Sequence, residues 1–175
     1  MHYSIERDAV PATCTSSGRS ADIYCSKCGE LLESGEFIEA YGHNYKSKVT
    51  KTTSKTYTRT YTCTFCGKSY KKTFNKKKNT MTLKAKTKTV KYSTLRKKNV
   101  SIARKDAVAV SDAKGDVTYS KSSGNSRITV SKSGKITVKK GLKKGTYKVK
   151  IKVRAAGTKT YLAKTKTVTV TIKVK

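Results

Sequence analysis

The sequence predicts an all-β protein, and three observations predict it. Val149, Ile151 and Val153 alternate with Lys148, Lys150 and Lys152, the period-two signature of a strand with one dry face and one wet face. Val168, Val170, Ile172 and Val174 alternate in the same way with Thr167, Thr169, Thr171 and Lys173. No helical period accounts for the runs from Lys135 onward, and Gly141 and Gly145 bracket the connection between the run at Ile136–Val138 and the one that follows it.

Taken in order, residues 1–75 carry all five cysteines and both histidines, and this shift in composition sets the expected domain boundary: a Cys-x-x-Cys region over 1–75 and a β-domain over 76–175. The first region holds a degenerate repeat. Ile23–Glu30 and Tyr61–Lys68 each lead an aromatic-bearing strand into Cys-x-x-Cys-Gly, and His2-Tyr3 and His43-Asn44-Tyr45 open the two copies. Thr52 stands where the first copy has Cys14. Tyr57, Thr58, Thr60, Tyr61 and Thr62 favour extended backbone, so each copy reads as a hairpin or three-stranded meander with its cysteine pair at a tight turn, zinc-ribbon-like in outline. The charged run Asn75–Asn79 reads as a linker.

The second region reads as consecutive strands at 80–85, 89–92, 107–110, 117–120, 128–131, 135–138, 146–154 and 165–175. Asp112–Gly115, Ser123–Asn125, Lys132–Gly134 and Ala156-Gly157 supply the turns between them. Short strands at this spacing predict a β-sandwich. It has neither tryptophan nor cysteine, so the Trp-on-disulfide pin of antibody domains is absent.

Composition bounds the function. The chain carries 41 Lys and Arg against 10 Asp and Glu, a formal charge of +31, and only seven of the basic residues are arginine. Arginine makes the bidentate contacts that read bases and phosphates, whereas lysine is a hydrated point charge. Lysine is also spread along the outward face of nearly every strand, which fits a solvated surface with protected edges better than a nucleic-acid groove. Loose attraction to anionic polymers needs no particular residue. No apolar run reaches membrane-spanning length, and residues 1–8 lack the apolar core of a secretion signal, as expected of an intracellular protein or a segment of a longer exported chain. No Ser-His-Asp set, phosphate loop or His-Glu-x-x-His run is present, and pairs such as Asp22 with Glu30 or Glu33 with Glu36 read as solvated carboxylates, so no enzyme is expected.

The sharpest chemistry lies in the cysteine pairs. Two thiolates at Cys-x-x-Cys spacing on a turn can grip one tetrahedral ion, and zinc takes four sulfur or imidazole ligands. Two ligand sets compete for a structural zinc: Cys14, Cys25, Cys28 and His43 (or His2), or else Cys25, Cys28, Cys63 and Cys66. Disulfides in an exported protein are the plain alternative, with one thiol left over from five. A nucleic-acid-binding zinc ribbon, with Tyr57, Tyr61, Phe65 and Tyr70 as stacking faces, is the competing function.

The stretch Ser123–Val153, with Ser-Lys-Ser-Gly-Lys-Ile-Thr-Val at 131–138, resembles the bacterial immunoglobulin-like domains of group 2, over about Thr80–Lys175. Ala12-Thr13-Cys14, Tyr24–Gly29 and Gly42–Tyr45 resemble the cysteine-bearing repeats that stand beside such domains in surface proteins of Gram-positive bacteria. The resemblance implies an immunoglobulin-like sandwich and an extracellular, wall-associated spacer or adhesive module. It would be a monomeric part of a longer chain, with wall polymers, glycans or host surface proteins as its partners.

Overall fold

A computed structural model describes residues 3–175, and the chain divides into two compact units: residues up to Lys51 with Thr58–Phe74, and Thr52–Tyr57 with Asn75–Lys175. The described residues are mostly strand, with two short helical turns, so the protein is all-β.

The strands of the first unit are β1 (Ser4–Arg7), β2 (Gly18–Arg19), β3 (Asp22–Cys25), β4 (Leu31–Glu33), β5 (Phe37–Ile38) and all but the ends, at Thr52, Thr56-Tyr57 and Asn75, of β6 (Tyr45–Thr52), β7 (Thr56–Cys63) and β8 (Ser69–Asn75). They form two three-stranded sheets, β1-β3-β4 and β6-β7-β8, and a small β2-β5 ladder. In each three-stranded sheet the central strand ends on the first cysteine of a Cys-x-x-Cys turn. Threonine hydroxyls join the strands of the β6-β7-β8 sheet, Thr50 to Thr60 at 2.9 Å and Thr58 to Thr73 at 3.0 Å. Asp22 is buried, not solvated. Its carboxylate accepts from both terminal nitrogens of Arg19 at 2.6 and 3.1 Å and from the Gly35 amide at 2.6 Å, which locks the turn after β4 against β3.

The second unit holds β9 (Thr82–Ala85), β10 (Lys88–Val90), α1 (Tyr92–Lys97), β11 (Val100–Ile102), α2 (Arg104–Ala107), β12 (Val108–Ser111), β13 (Val117–Ser123), β14 (Ile128–Val130), β15 (Ile136–Val138), β16 (Gly145–Ala155) and β17 (Lys164–Val174). Every run read as a strand in the second half of the sequence is a strand, with ends shifted by a few residues. β16 and β17 pair antiparallel along their whole length, from Gly145 opposite Val174 to Ala155 opposite Lys164. β13 adds to β16, and β10 adds to β17 in parallel, giving the order β10-β17-β16-β13. β15, on the far side of the Gly141–Gly145 connection, belongs to a different sheet, β11-β15-β14. Both sheets feed one core: Val149, Ile151, Val153, Val170 and Ile172 from the first, and Ile102, Ile128, Ile136 and Val138 from the second. Lys148, Lys150 and Lys152 are exposed, as the alternation requires.

Three features depart from the sequence reading. α1 and α2 span only six and four residues, too short to print a helical period, yet α1 sends Leu95 fully into the core. β11 has one residue between its two apolar ones and escapes notice. The run read as a linker is folded: Asn79 is buried, its amide donates to the carbonyls of Lys114 and Leu162 at 2.9 and 3.2 Å, and its Oδ1 accepts from the amides of Met81 and Lys114. Close by, Gly115 adopts φ +85°, and a Cβ there would run into the Gly157 carbonyl oxygen, so the two turns meet only because residue 115 is glycine.

Removing the Asn79 side chain would take their side-chain partner from the Met81 and Lys114 amides and the Leu162 carbonyl, while the Lys114 carbonyl keeps the Gly157 amide. Asn79→Ala therefore costs the second unit about 2–4 kcal/mol in urea unfolding. Ile151→Ala costs about 2–5 kcal/mol through its cavity, and Lys150→Ala changes stability by less than about 0.5 kcal/mol.

Candidate metal centre

The first unit brings together four side chains able to ligate a metal ion, Cys14, His43, Cys63 and Cys66, with their sulfur and ring-nitrogen atoms within 4.8 Å of one another. Local backbone chemistry explains each position. Thr13 closes a tight turn, its Oγ1 accepting from the amides of Thr15 and Ser16 and its amide donating to the Ser16 carbonyl, and this turn presents Cys14. The Tyr41 amide donates to the Thr13 carbonyl at 2.9 Å, which carries the approach to His43 alongside Cys14. The Thr64 amide donates to the Asn44 carbonyl at 2.9 Å, which sets the residue after His43 against the residue after Cys63. At the β7–β8 turn the Cys63 amide donates to the Lys68 carbonyl and the Gly67 amide to the Cys63 carbonyl, with Gly67 at φ +72°. The result is a knuckle with Cys63 buried and Cys66 exposed.

Two of the ligand-atom separations match the edges of a tetrahedral site. Cys14 Sγ and Cys63 Sγ lie 3.8 Å apart, and Cys66 Sγ lies 3.4 Å from His43 Nδ1. For Zn–S near 2.3 Å and Zn–N near 2.05 Å, tetrahedral edges come to about 3.8 and 3.6 Å. Cys14, Cys63 and Cys66 form no disulfide.

The thiols are electrostatically unequal. Amide hydrogen bonds from the Cys66 and then the Phe65 backbone, with help from His43 between them in weight, outweigh burial and draw Cys63 down to about 5. Burial, and then the neighbouring sulfurs of Cys66 and Cys63, push Cys14 up to about 11. Burial and the negative charge of Cys63 likewise raise Tyr45, whose ring lies 5.2 Å from that of His43. At neutral pH the centre therefore holds a Cys63 thiolate beside a protonated Cys14, poised to exchange a proton for a cation.

The grouping is neither of the two sets drawn from the sequence. Cys14 and His43 meet the second cysteine pair, and Cys25 and Cys28 stand apart from them. His2, the alternative imidazole, lies outside the described residues. What the sequence does not display is the pair of backbone contacts, Tyr41 to Thr13 and Thr64 to Asn44, that decides which turn His43 serves. The repeat itself held a usable signal, because the conserved order of the two copies places a histidine ahead of each cysteine pair, 20 residues before Cys63 in the second copy. Neither a family model nor a curated protein matches the chain.

Metal uptake at neutral pH must displace the Cys14 proton, so affinity rises with pH. Zinc competition titrations are expected to show at least about a tenfold loss of affinity per pH unit from 8 to 6, steepening below about pH 5, where Cys63 also protonates. Cys14→Ser, His43→Ala and Cys66→Ser each weaken this centre by at least about a hundredfold in the same titration.

Proposed function

We propose that this chain is a non-catalytic structural and adhesive module of a bacterial cell-surface or secreted protein: a zinc-stapled β-unit and an immunoglobulin-like sandwich of the bacterial group 2 kind. One observation carries the reading. The second unit commits its large apolar side chains to a single core shared by two sheets, and turns the opposite faces of its longest strands, with Lys148, Lys150 and Lys152, to water. That is the build of a spacer with a diffuse cationic surface. Zinc is the natural occupant of the first unit's centre, since three thiols and an imidazole at tetrahedral spacing make a closed structural site with no position left for substrate.

Other observations point the same way. A cavity of about 540 Å³ in the second unit is lined by Arg104, Val110, Asp112, Ala113, Val117, Tyr119 and Ser133, which offers one carboxylate and two hydroxyls without a histidine between them. Only two ion pairs form among the described residues, Arg19–Asp22 and Lys88–Asp106, so most of the positive charge is open to external anions. Of the aromatic residues that would stack on bases, Tyr61 and Tyr70 stack on each other at 4.8 Å, and Tyr45 packs edge-on to Tyr70 at 5.1 Å. Those rings spend their faces within the sheet. No helix among the described residues is long and apolar enough to cross a membrane.

The partners that suit such a surface are anionic wall polymers, with glycans and host surface proteins as further candidates. The test is co-sedimentation with Gram-positive wall fragments, with and without their anionic polymers, beside a gel shift with random DNA. Retention should require the anionic polymers and fade as salt rises above about 0.15 M, where screening acts within about 8 Å. DNA should not shift at that salt. A DNA complex that survives it, with no wall retention, would replace this reading with the nucleic-acid-binding zinc ribbon.

A further inference from the structure

The cleft of about 540 Å³ in the second unit is built from elements that backbone hydrogen bonds hold in place. Val110 of β12 and Val117 and Tyr119 of β13 line it, and Ser133 stands in the turn between β14 and β15. The Tyr119 amide donates to the Lys132 carbonyl at 3.0 Å, which fixes that turn against β13. Within the turn the Gly134 amide donates to the Ser131 carbonyl at 2.9 Å, with Gly134 at φ +88°. A Cβ at Gly134 would lie 2.6 Å from Arg104 Cγ and 3.0 Å from the Tyr119 ring. The stem of Arg104 is therefore packed on bare backbone beside a buried ring, which limits where its guanidinium can go.

Two groups of opposite charge line this cleft, Arg104 and Asp112, and neither forms an ion pair among the described residues. Burial raises the Tyr119 hydroxyl above the usual tyrosine range, and the charge and hydrogen bonding of Arg104 oppose that rise, which places the guanidinium beside the phenol oxygen. The isolation of Asp112 is the more unusual of the two. The acidic side chains of the second unit are Asp106, Asp112 and Asp116, and lysine surrounds them in the sequence; Asp106 takes Lys88 at 3.8 Å. Asp112 instead holds φ +56°, in the left-handed region that few side chains adopt, and the Thr80 hydroxyl donates to its carbonyl at 3.0 Å. Ser111 before it is tied to Thr82 through their hydroxyls at 2.6 Å. Held there, the carboxylate is a negative point on a surface that elsewhere repels cations.

We propose that this cleft binds a small aliphatic amino acid as its zwitterion, with the ligand carboxylate on Arg104 and the ligand ammonium on Asp112. A guanidinium offers a carboxylate two parallel N–H donors, and the Asp112 carboxylate accepts from the ammonium. Tyr119 and Ser133 add hydroxyls that donate or accept. Val110, Ala113 and Val117 give the aliphatic side chain an apolar wall, and the volume falls within the range of small-molecule sites. A simple anion satisfies only half of this arrangement and a simple amine only the other half. The inference is independent of the metal centre and of what the outward lysines attract.

The test is amide-resolved NMR of the whole chain at about 0.15 M salt, titrated separately with leucine, N-acetylleucine and leucine amide. Leucine should shift the amides around Arg104, Asp112 and Gly134 and reach saturation. Removing either charge from the ligand should weaken binding by at least about tenfold. Asp112→Asn should weaken leucine by about tenfold and leave N-acetylleucine, which has no ammonium, unchanged. Arg104→Gln should weaken leucine as much and leave leucine amide, which has no carboxylate, unchanged. Asparagine tolerates the left-handed backbone at residue 112, so Asp112→Asn and the ligand series on the parent decide the matter even where Arg104→Gln fails to fold. Equal binding of all three compounds, shifts spread over the lysine-bearing strands, leucine binding unchanged in Asp112→Asn, or no shift at large excess of leucine would each overturn the site.

Discussion

The first unit has almost no apolar interior, and the rest of its organisation answers to that fact. Its described buried side chains are Ala12, Cys14, Cys25 and Cys63, with the polar Asp22, while Leu31, Leu32, Phe37, Tyr41 and Phe65 are exposed. No side chain larger than cysteine is fully withdrawn from water, so apolar burial cannot offset the entropy of ordering this much chain. What the interior does contain is sulfur. A bound cation draws its stabilisation from the ligands and not from buried area, and small domains with thin cores fold on such terms. The threonine ladder and the Arg19–Asp22–Gly35 network organise the surface around the cysteines but leave the same deficit.

The second unit solves the opposite problem. It has an adequate core, but its lysines repel one another and its acids are too few to pair with them. Strict alternation keeps the two interests apart: on β16 each Val or Ile is buried and each flanking Lys is exposed. A one-residue slip would reverse every side chain, so the pairing of β16 with β17 over eleven residues is heavily specified by burial alone. The outward lysines also discourage pairing with foreign strands, which suits a unit whose sheets have open edges.

These two regimes explain what the sequence disclosed. Strands of the second unit were legible because period two and turn residues agree there, residue by residue. Helical turn α1 was not, since six residues cannot show a period, and Leu95 looks like any surface residue among Ser, Thr, Arg and Lys. Asn79 was misread because an asparagine among lysines has the composition of a linker; only the convergence of the turns at Lys114 and Leu162 gives its amide partners. In the first unit Cys14, His43, Cys63 and Cys66 were legible as side chains of metal-ligating type, but their grouping was not. Grouping is decided by two long-range backbone hydrogen bonds, and composition carries no information about those.

The grouping has a mechanical consequence that a local set would lack. Cys14 and Cys63 are 49 residues apart in sequence, and the whole first knuckle lies between them. An ion held by Cys14, His43, Cys63 and Cys66 therefore closes a long loop of chain, whereas one held by a single knuckle closes almost none. Loop-closure entropy grows with length, so this cross-link removes more freedom from the unfolded chain than any neighbouring-residue pairing could. It also ties the segment between β1 and β2 to the turn between β7 and β8. With an ion bound, that cross-link would supply by interleaving the rigidity that the few buried apolar side chains of the unit do not.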